Sequence, residues 1–255
     1  MTDEQIIGYG RKVVQIESEA VANLMNGINE DFVKAVRTIY NSPGRVVFTG
    51  MGKSGIIARK IVATLSSTGT PSIYLHPTDA LHGDLGMVRK DDTVFIVSKS
   101  GSTEELFDLI IMLKRMGVKI IGMLAVPDSK LAGLCDIVLN VYVKEEACPH
   151  DLAPTSSTTA ALVMGDALAI ALLEMRGFTA EDFAMLHPGG SLGKRLLLKI
   201  SEIMYKEKDV PVVKQDTSLK DAILEITSKR LGTTCVVDDS RSEERRVGKE
   251  CRSRW

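Results

Sequence analysis

The sequence predicts an α/β fold, a doubly wound five-stranded parallel sheet flanked by helices. Two observations predict it. The first is a set of short, continuous apolar runs rich in β-branched residues, the pattern of strands buried on both faces; Val94-Phe95-Ile96-Val97 is the clearest. The second is that these runs alternate with helical patterns, which implies parallel strands joined by right-handed crossovers.

Residues 3 to 40 read as one helix, because Val21, Leu24, Met25, Ile28, Phe32, Ala35, Val36 and Ile39 recur at spacings of three and four. Asn41-Ser42-Pro43-Gly44 ends it. Arg45 to Thr49 is the first strand, Pro71 to Leu75 the second, Thr93 to Val97 the third, Val118 to Leu124 the fourth and Asp136 to Val143 the fifth. Helices are expected to about Ser67 after the first strand, from Glu104 to Met116, from Ala160 to Met175 and from Thr179 to Leu186.

With 255 residues the chain is long enough for one large domain, or one domain plus a fragment. Its 32 Lys and Arg balance 33 Asp and Glu, so charge gives no sign of a nucleic-acid or membrane partner. No apolar run reads as a membrane span, and the acidic Met1-Thr2-Asp3-Glu4 is unlike a signal peptide. Cys135, Cys148, Cys235 and Cys251 lack metal-site spacing, which points to a reducing cytoplasm and no zinc-cluster cofactor.

Three turns carry candidate chemistry. Gly50-Met51-Gly52-Lys53-Ser54-Gly55 follows the first strand and satisfies G-x-G-x-x-G, so Asp79 after the second strand would serve a dinucleotide site. Lys53 inside the glycine turn argues against that reading and for a small phosphorylated substrate. Glycines needed only for helix–strand packing, with a solvated lysine, are the plain alternative. Ser98, Ser100, Gly101, Ser102 and Thr103 join the third strand to a helix start, where backbone N–H groups, hydroxyls and the positive end of a helix dipole suit a phosphate dianion. The plain alternative is that Ser102 caps the helix and Glu105 completes a capping box. Thr155, Ser156, Ser157 and Thr158 form another hydroxyl-rich helix start, more hydroxyls than one cap needs. His187, between a helix end and Pro188-Gly189-Gly190, is a candidate acid/base, though a plain loop histidine is the commoner case.

These motifs together carry a resemblance. Ser98 to Thr103 resembles the S-x-S-G-x-T phosphate loop of the sugar isomerase (SIS) fold. G-M-G-K-S-G, H-P-T-D-A-L-H-G-D-L-G-M-V, E-A-C-P, L-A-P-T-S-S-T-T-A, V-M-G-D-A-L-A and F-A-M-L-H-P-G-G-S-L-G are similar to the D-arabinose 5-phosphate isomerase family, over about residues 5 to 239. The resemblance implies interconversion of D-ribulose 5-phosphate and D-arabinose 5-phosphate for Kdo synthesis, serving lipopolysaccharide or capsule. It also implies a homotetramer that uses no metal or other cofactor and is inhibited by zinc. Carried over by motif, the catalytic residues are Lys53, Glu105, Glu146 and His187. Substrate and phosphate contacts fall on Gly52, Ser54, Ser98, Ser100, Ser102, Thr103, Thr155, Ser156 and Ser157, and the zinc-binding histidine on His82. Lys99 stands where relatives often have a small polar residue. Moving a proton between C1 and C2 through an enediol needs a carboxylate base and a group that neutralises developing negative charge. Which glutamate is the base stays open: a cap at Ser102 pins Glu105 and lowers its basicity, while Glu146, in a loop, has no obvious anchor. A His187 leaving its own sheet reaches such a site most easily in a neighbouring subunit, which implies active sites shared between subunits.

The expected domains are a SIS sugar-isomerase domain over 1–200, an incomplete first CBS motif over 201–239 and a foreign or frame-shifted tail over 240–255. A complete CBS pair needs roughly 80 further residues. Two other function classes fit the phosphate turns, a non-catalytic sugar-phosphate-binding regulator and an NAD-dependent oxidoreductase. No helix-turn-helix with a basic face supports the first.

Overall fold

A computed structural model describes residues 1–189, 200–238 and 243–248. The strands of the first unit, residues 1–197, are β1 (Val46–Thr49), β2 (Ser72–Tyr74), β3 (Thr93–Ser98), β4 (Lys119–Leu124) and β5 (Ile137–Asn140). They form one five-stranded sheet in the order β2-β1-β3-β4-β5, parallel throughout. Every residue of β1 and β3 is buried, as their unbroken apolar runs require.

One face of the sheet is covered by α1 (Asp3–Asn23), α2 (Glu30–Asn41), α3 (Gly52–Ser67) and α6 (Ser156–Arg176), packed over Phe48, Phe95, Val97 and Met123. Phe48 and Phe95 stack at 4.7 Å on that side. The other face is covered by α4 (Pro77–Leu81) and α5 (Glu104–Met116), whose Leu106, Leu109, Ile110 and Leu113 meet Val47, Val94 and Ile96. A further short helix, α7 (Ala180–Leu186), follows α6.

Several local expectations change. The single helix expected over 3–40 is two, separated by a 3-10 turn at Leu24–Gly27. A side chain on Gly27 would lie 2.7 Å from the Asn140 carbonyl oxygen, so the chain bends where it meets the end of β5. Asn29 then caps α2 by accepting from the Asp31 N–H at 2.9 Å. The fifth strand is shorter than expected, ending at Asn140.

The expectation that no run reads as a membrane span is also corrected. Among the described residues one helix, α6, is long and apolar enough to cross a membrane by length and composition. Its apolarity has another cause: nine of its residues are buried in the core of this unit. Gly165 lets it lie directly against α3, since a Cβ there would meet Ile61 at 2.4 Å.

The second unit comprises residues 198–255. It contains α8 (Ile200–Ile203), β6 (Val212–Lys214), α9 (Leu219–Ser228), β7 (Thr233–Val237) and β8 (Glu243–Gly248). β6 pairs with β7 in parallel, and β8 pairs with β7 antiparallel. The tail from 240 therefore supplies a strand where the sequence shows no strand period; backbone pairing to β7 recruits it, and the rest of that tail lies outside the described residues.

At the amino edge of the sheet, buried Asp92 joins β1 to β3. Its carboxylate accepts from the Arg45 N–H at 2.8 Å, the Arg89 N–H at 2.9 Å and the Arg45 guanidinium at 3.2 Å. Burial pushes the Asp92 pKa up, but these donors outweigh it and hold the carboxyl below its usual range. We predict that Asp92→Ala, which leaves those donors unmatched, costs about 3 kcal/mol of unfolding free energy by denaturant titration.

Candidate active site

α3, α4 and α5 begin just beyond the carboxyl ends of β1, β2 and β3, where open α/β sheets bind ligands, and α6 follows β5 after a longer loop. An N–H group at a helix start that no side chain takes up is a chemical resource. α1, α2, α7 and α9 are each closed by a side chain at Thr2, Asn29, Thr179 and Ser218. The cap residues of α3, α5 and α6, Met51, Thr103 and Thr155, make no side-chain cap bond. Amide donors therefore point toward the carboxyl edge with the positive ends of their helix dipoles.

The loop from β3 to α5 is shaped by its own hydroxyls. Ser98 Oγ accepts from the Gly101 N–H at 3.1 Å, and Ser100 Oγ accepts from the Ser102 N–H at 3.3 Å. Gly101 sits at φ +60°, and a Cβ there would lie 2.1 Å from Ser129 Oγ. This turn corrects the capping-box expectation: the cap passes to Thr103, so Glu105 becomes the second helical residue and cannot reach back to Ser102. Glu105 is exposed and carries no cap bond.

Between β1 and α3, Gly52 takes φ +54° and opens the helix. Tyr74 Oη donates to the Gly50 carbonyl at 2.8 Å and holds the turn, while Arg59 lies over the Tyr74 ring at 4.6 Å. Lys53 is exposed in the first turn of α3, and Ser54 lines a narrow cleft. Ser98, Lys99, Ser157 and Thr158 complete its polar wall above an apolar floor that includes Val97 and Met123. Asp79, the acidic residue considered for a dinucleotide, lies within α4 beyond the end of β2, its nearest ion-pair partner being His76 at 3.8 Å.

Glu146 reverses its expectation. The side chain expected to lack an anchor is 1% exposed and held by five donors. The Thr155 N–H (2.8 Å), Thr155 Oγ1 (3.2 Å), Ser157 N–H (3.1 Å) and Ser157 Oγ (2.5 Å) all donate to it, and Lys99 Nζ lies 2.7 Å from Oε1. The carboxylate thus closes the amino end of α6 in place of a cap. Burial raises its pKa, but the Lys99 ammonium, the Ser157 hydroxyl and the two N–H groups outweigh it and hold the carboxyl down at about 2. The loop between is tied by the Glu146 N–H to Asp151 (2.7 Å) and the Ala147 N–H to Thr155 Oγ1 (2.8 Å), with Asp151 at φ 51°. Thr155 and Ser157 accordingly spend their polar groups on Glu146, and Ser156 is wholly buried with its hydroxyl unpartnered.

His187 ends α7 half-buried. Its ring stacks on Phe183 at 4.0 Å, and Nδ1 lies 2.9 Å from the Phe183 carbonyl oxygen. Because a carbonyl only accepts, Nδ1 carries the proton and Nε2 is left as the basic nitrogen of the neutral ring. Both contacts belong to its own helix, and among the described residues no hydrogen bond or ion pair joins Lys53, Glu105, Glu146 and His187 to one another. The chain path over 190–199 lies outside the described residues. His82 is exposed at the end of α4, and no group of three His, Cys, Asp or Glu suited to a metal occurs among the described residues. These residues do not fit a zinc centre of their own.

The SIS domain family matches residues 38–171. Arabinose 5-phosphate isomerase KdsD of Yersinia pestis is 54% identical over 231 residues, covering 91% of this chain and 70% of that protein. The chain belongs to the arabinose 5-phosphate isomerase family of SIS-domain proteins. The Pseudomonas aeruginosa KdsD is 52% identical over 233 residues, covering 91% of this chain and 72% of that protein. Among solved structures, a protein of Escherichia coli CFT073 in complex with arabinose 5-phosphate matches at TM-score 0.71 and 43% identity, covering 74% of this chain and 100% of that one. Family membership accounts for the serine loop and the G-M-G-K-S-G turn together, which the dinucleotide reading does not.

Sequence reasoning does not foresee the anchoring of Glu146, the part of Asp151 or the Tyr74 brace. The Glu146 anchor has one usable signal, five consecutive hydroxyl residues at a helix start, Thr155 to Thr159, with more acceptor-seeking groups than a cap uses. We predict that Gly101→Ala costs at least about 1–2 kcal/mol for the left-handed backbone alone. Its overlap with Ser129 should also collapse the loop, so inorganic phosphate should protect the parent against thermal unfolding and this variant far less.

Proposed function

We propose that this chain is an arabinose 5-phosphate isomerase, interconverting D-ribulose 5-phosphate and D-arabinose 5-phosphate through an enediol. Family membership and a relative bound to arabinose 5-phosphate support the substrate. The observation that carries the chemistry is the contrast between the two glutamates, one buried and fully bonded, the other exposed and uncapped.

The phosphate is placed against the uncapped starts of α3 and α5, with Gly52, Ser54, Ser98, Ser100, Ser102 and Thr103 as its donors. Glu105 takes the proton from C1 of the ketose and returns it to C2, since a base must be free to protonate near neutral pH. A carboxylate buried and bonded to the amides and hydroxyls of Thr155 and Ser157 is poorly placed to take a carbon-bound proton, so Glu146 serves as a fixed anion that orders the loop and the start of α6. Lys53 neutralises the enediolate oxygen, and His187, through Nε2, moves the proton between O1 and O2. The reaction needs no external oxidant or reductant, because the electrons stay within the sugar.

We place His187 in the site of a neighbouring subunit of a homotetramer in a reducing cytoplasm, with the product passing to Kdo synthesis. Two features support the assembly. The hydrogen bond and the ring contact of His187 lie within its own helix, and α1 has one buried residue, Ala20, while Ile6, Ile7, Tyr9 and Val14 are exposed.

Incubation with ribulose 5-phosphate without added cofactor should give arabinose 5-phosphate, and Glu105→Gln should lose roughly 10²–10⁴ in kcat while still binding substrate. A Glu105→Gln enzyme running near the parent rate would remove the base assignment. For the shared site, inactive His187→Ala and Lys53→Ala proteins are mixed under subunit exchange. Activity should reappear; confirmed exchange with no recovered activity would assign each site to one chain.

A further inference from the structure

Lys99 stands between the serine loop and a buried carboxylate, and its ammonium is bonded to the carboxylate. Its backbone lies between Ser98 and Ser100, the residues that shape the serine loop. Its ammonium, however, points away to Glu146 Oε1 at 2.7 Å and lines the cleft beside Ser54, Ser98 and Ser157. The lysine side chain is 42% exposed, whereas the carboxylate is fully buried. The pair is therefore unequal. Glu146 keeps four other donors, from Thr155 and Ser157, if Lys99 leaves. Lys99 loses its counter-ion if it leaves, unless another anion takes over.

We propose that Lys99 is a positioning residue that exchanges counter-ions, held by Glu146 in the free protein and passed to the phosphate dianion when phosphorylated substrate enters the serine loop. This rests on the reading of that loop as the phosphate seat. The exchange fits the charges. The arriving dianion carries the larger charge and has no donors of its own in the empty site, so it competes for the ammonium, while Glu146 stays satisfied by Thr155 and Ser157. In the empty site Glu146 stores that cation close to its point of use, without leaving it to solvent. No bond is made or broken, and no proton moves.

The test is a set of calorimetric titrations with inorganic phosphate at fixed ionic strength, on the full chain, alongside an isomerase assay of the parent. Lys99→Met should weaken phosphate binding about tenfold or more, and Lys99→Arg should restore most of it. Glu146→Gln, which removes the competing anion, should tighten binding, and most of that gain should vanish in the Lys99→Met background. Equal phosphate affinity for the parent and Lys99→Met would overturn the proposal, as would a Glu146→Gln gain that is the same with and without Lys99. If Glu146→Gln fails to fold, the ε-carbon resonance of Lys99, assigned by its loss in Lys99→Met, decides. It should shift on saturation with phosphate, and an unmoved resonance overturns the exchange. A parent that binds no phosphate overturns the phosphate seat itself. Phosphate exchange without isomerisation of ribulose 5-phosphate leaves the exchange standing and overturns the proposed activity.

Discussion

The site depends on one interaction, the buried Glu146 carboxylate closing the amino end of α6. That helix is the apolar centre of one face of the sheet, with nine buried residues, so its first turn cannot turn to water for its N–H groups. A cap from Thr155 is not made; the carboxylate takes its place, accepting from the amides of Thr155 and Ser157 and from both hydroxyls. A charged acceptor at a helix start gains from the amides and from the dipole together. The consequence is a fixed negative charge beside the cleft, a loop from Ala147 to Pro154 pulled down onto it, and a lysine drawn across from the serine loop.

With α6 closed in this way, the uncapped starts of α3 and α5 remain beside the serine loop and the glycine turn to receive an external anion. The division of labour follows from desolvation. A carboxylate that has traded water for five donors is a good electrostatic scaffold and a poor proton acceptor. The exposed Glu105, displaced from a capping box by the left-handed turn at Gly101, keeps its lone pairs for chemistry.

Much of the fold is legible in the sequence, because buried parallel strands write themselves as unbroken apolar runs, as at Val94 to Val97. What fails to show depends on distant contacts. The apolar stripe of the first helical stretch continues through Gly27, although the chain must bend there to clear the Asn140 carbonyl. The five-residue α4, started by Pro77, is too short to show a period. S-x-x-E at Ser102 to Glu105 is a sound local signal that loses to the hydrogen bonds of the preceding turn. The residues of the candidate site are legible through their motifs, but not the roles of the two glutamates. Glu146 meets its donors nine and eleven residues later, through a loop that needs Asp151 at positive φ, and no periodicity encodes that closure.

The division of roles between the two glutamates depends on Glu146 being an anion that the folded protein does not allow to protonate under ordinary conditions. The direct measurement is the carboxyl carbon resonance of Glu146, assigned by its loss in Glu146→Gln and followed from about pH 7 down to about pH 3 in the folded protein. A folded pKa of about 2, against an ordinary value of 4.5, predicts that the resonance stays close to its ionised position across that range. A titration centred at 4.5 or above would show a carboxyl free to take a proton, and would contradict the assignment of Glu146 as scaffold and Glu105 as base.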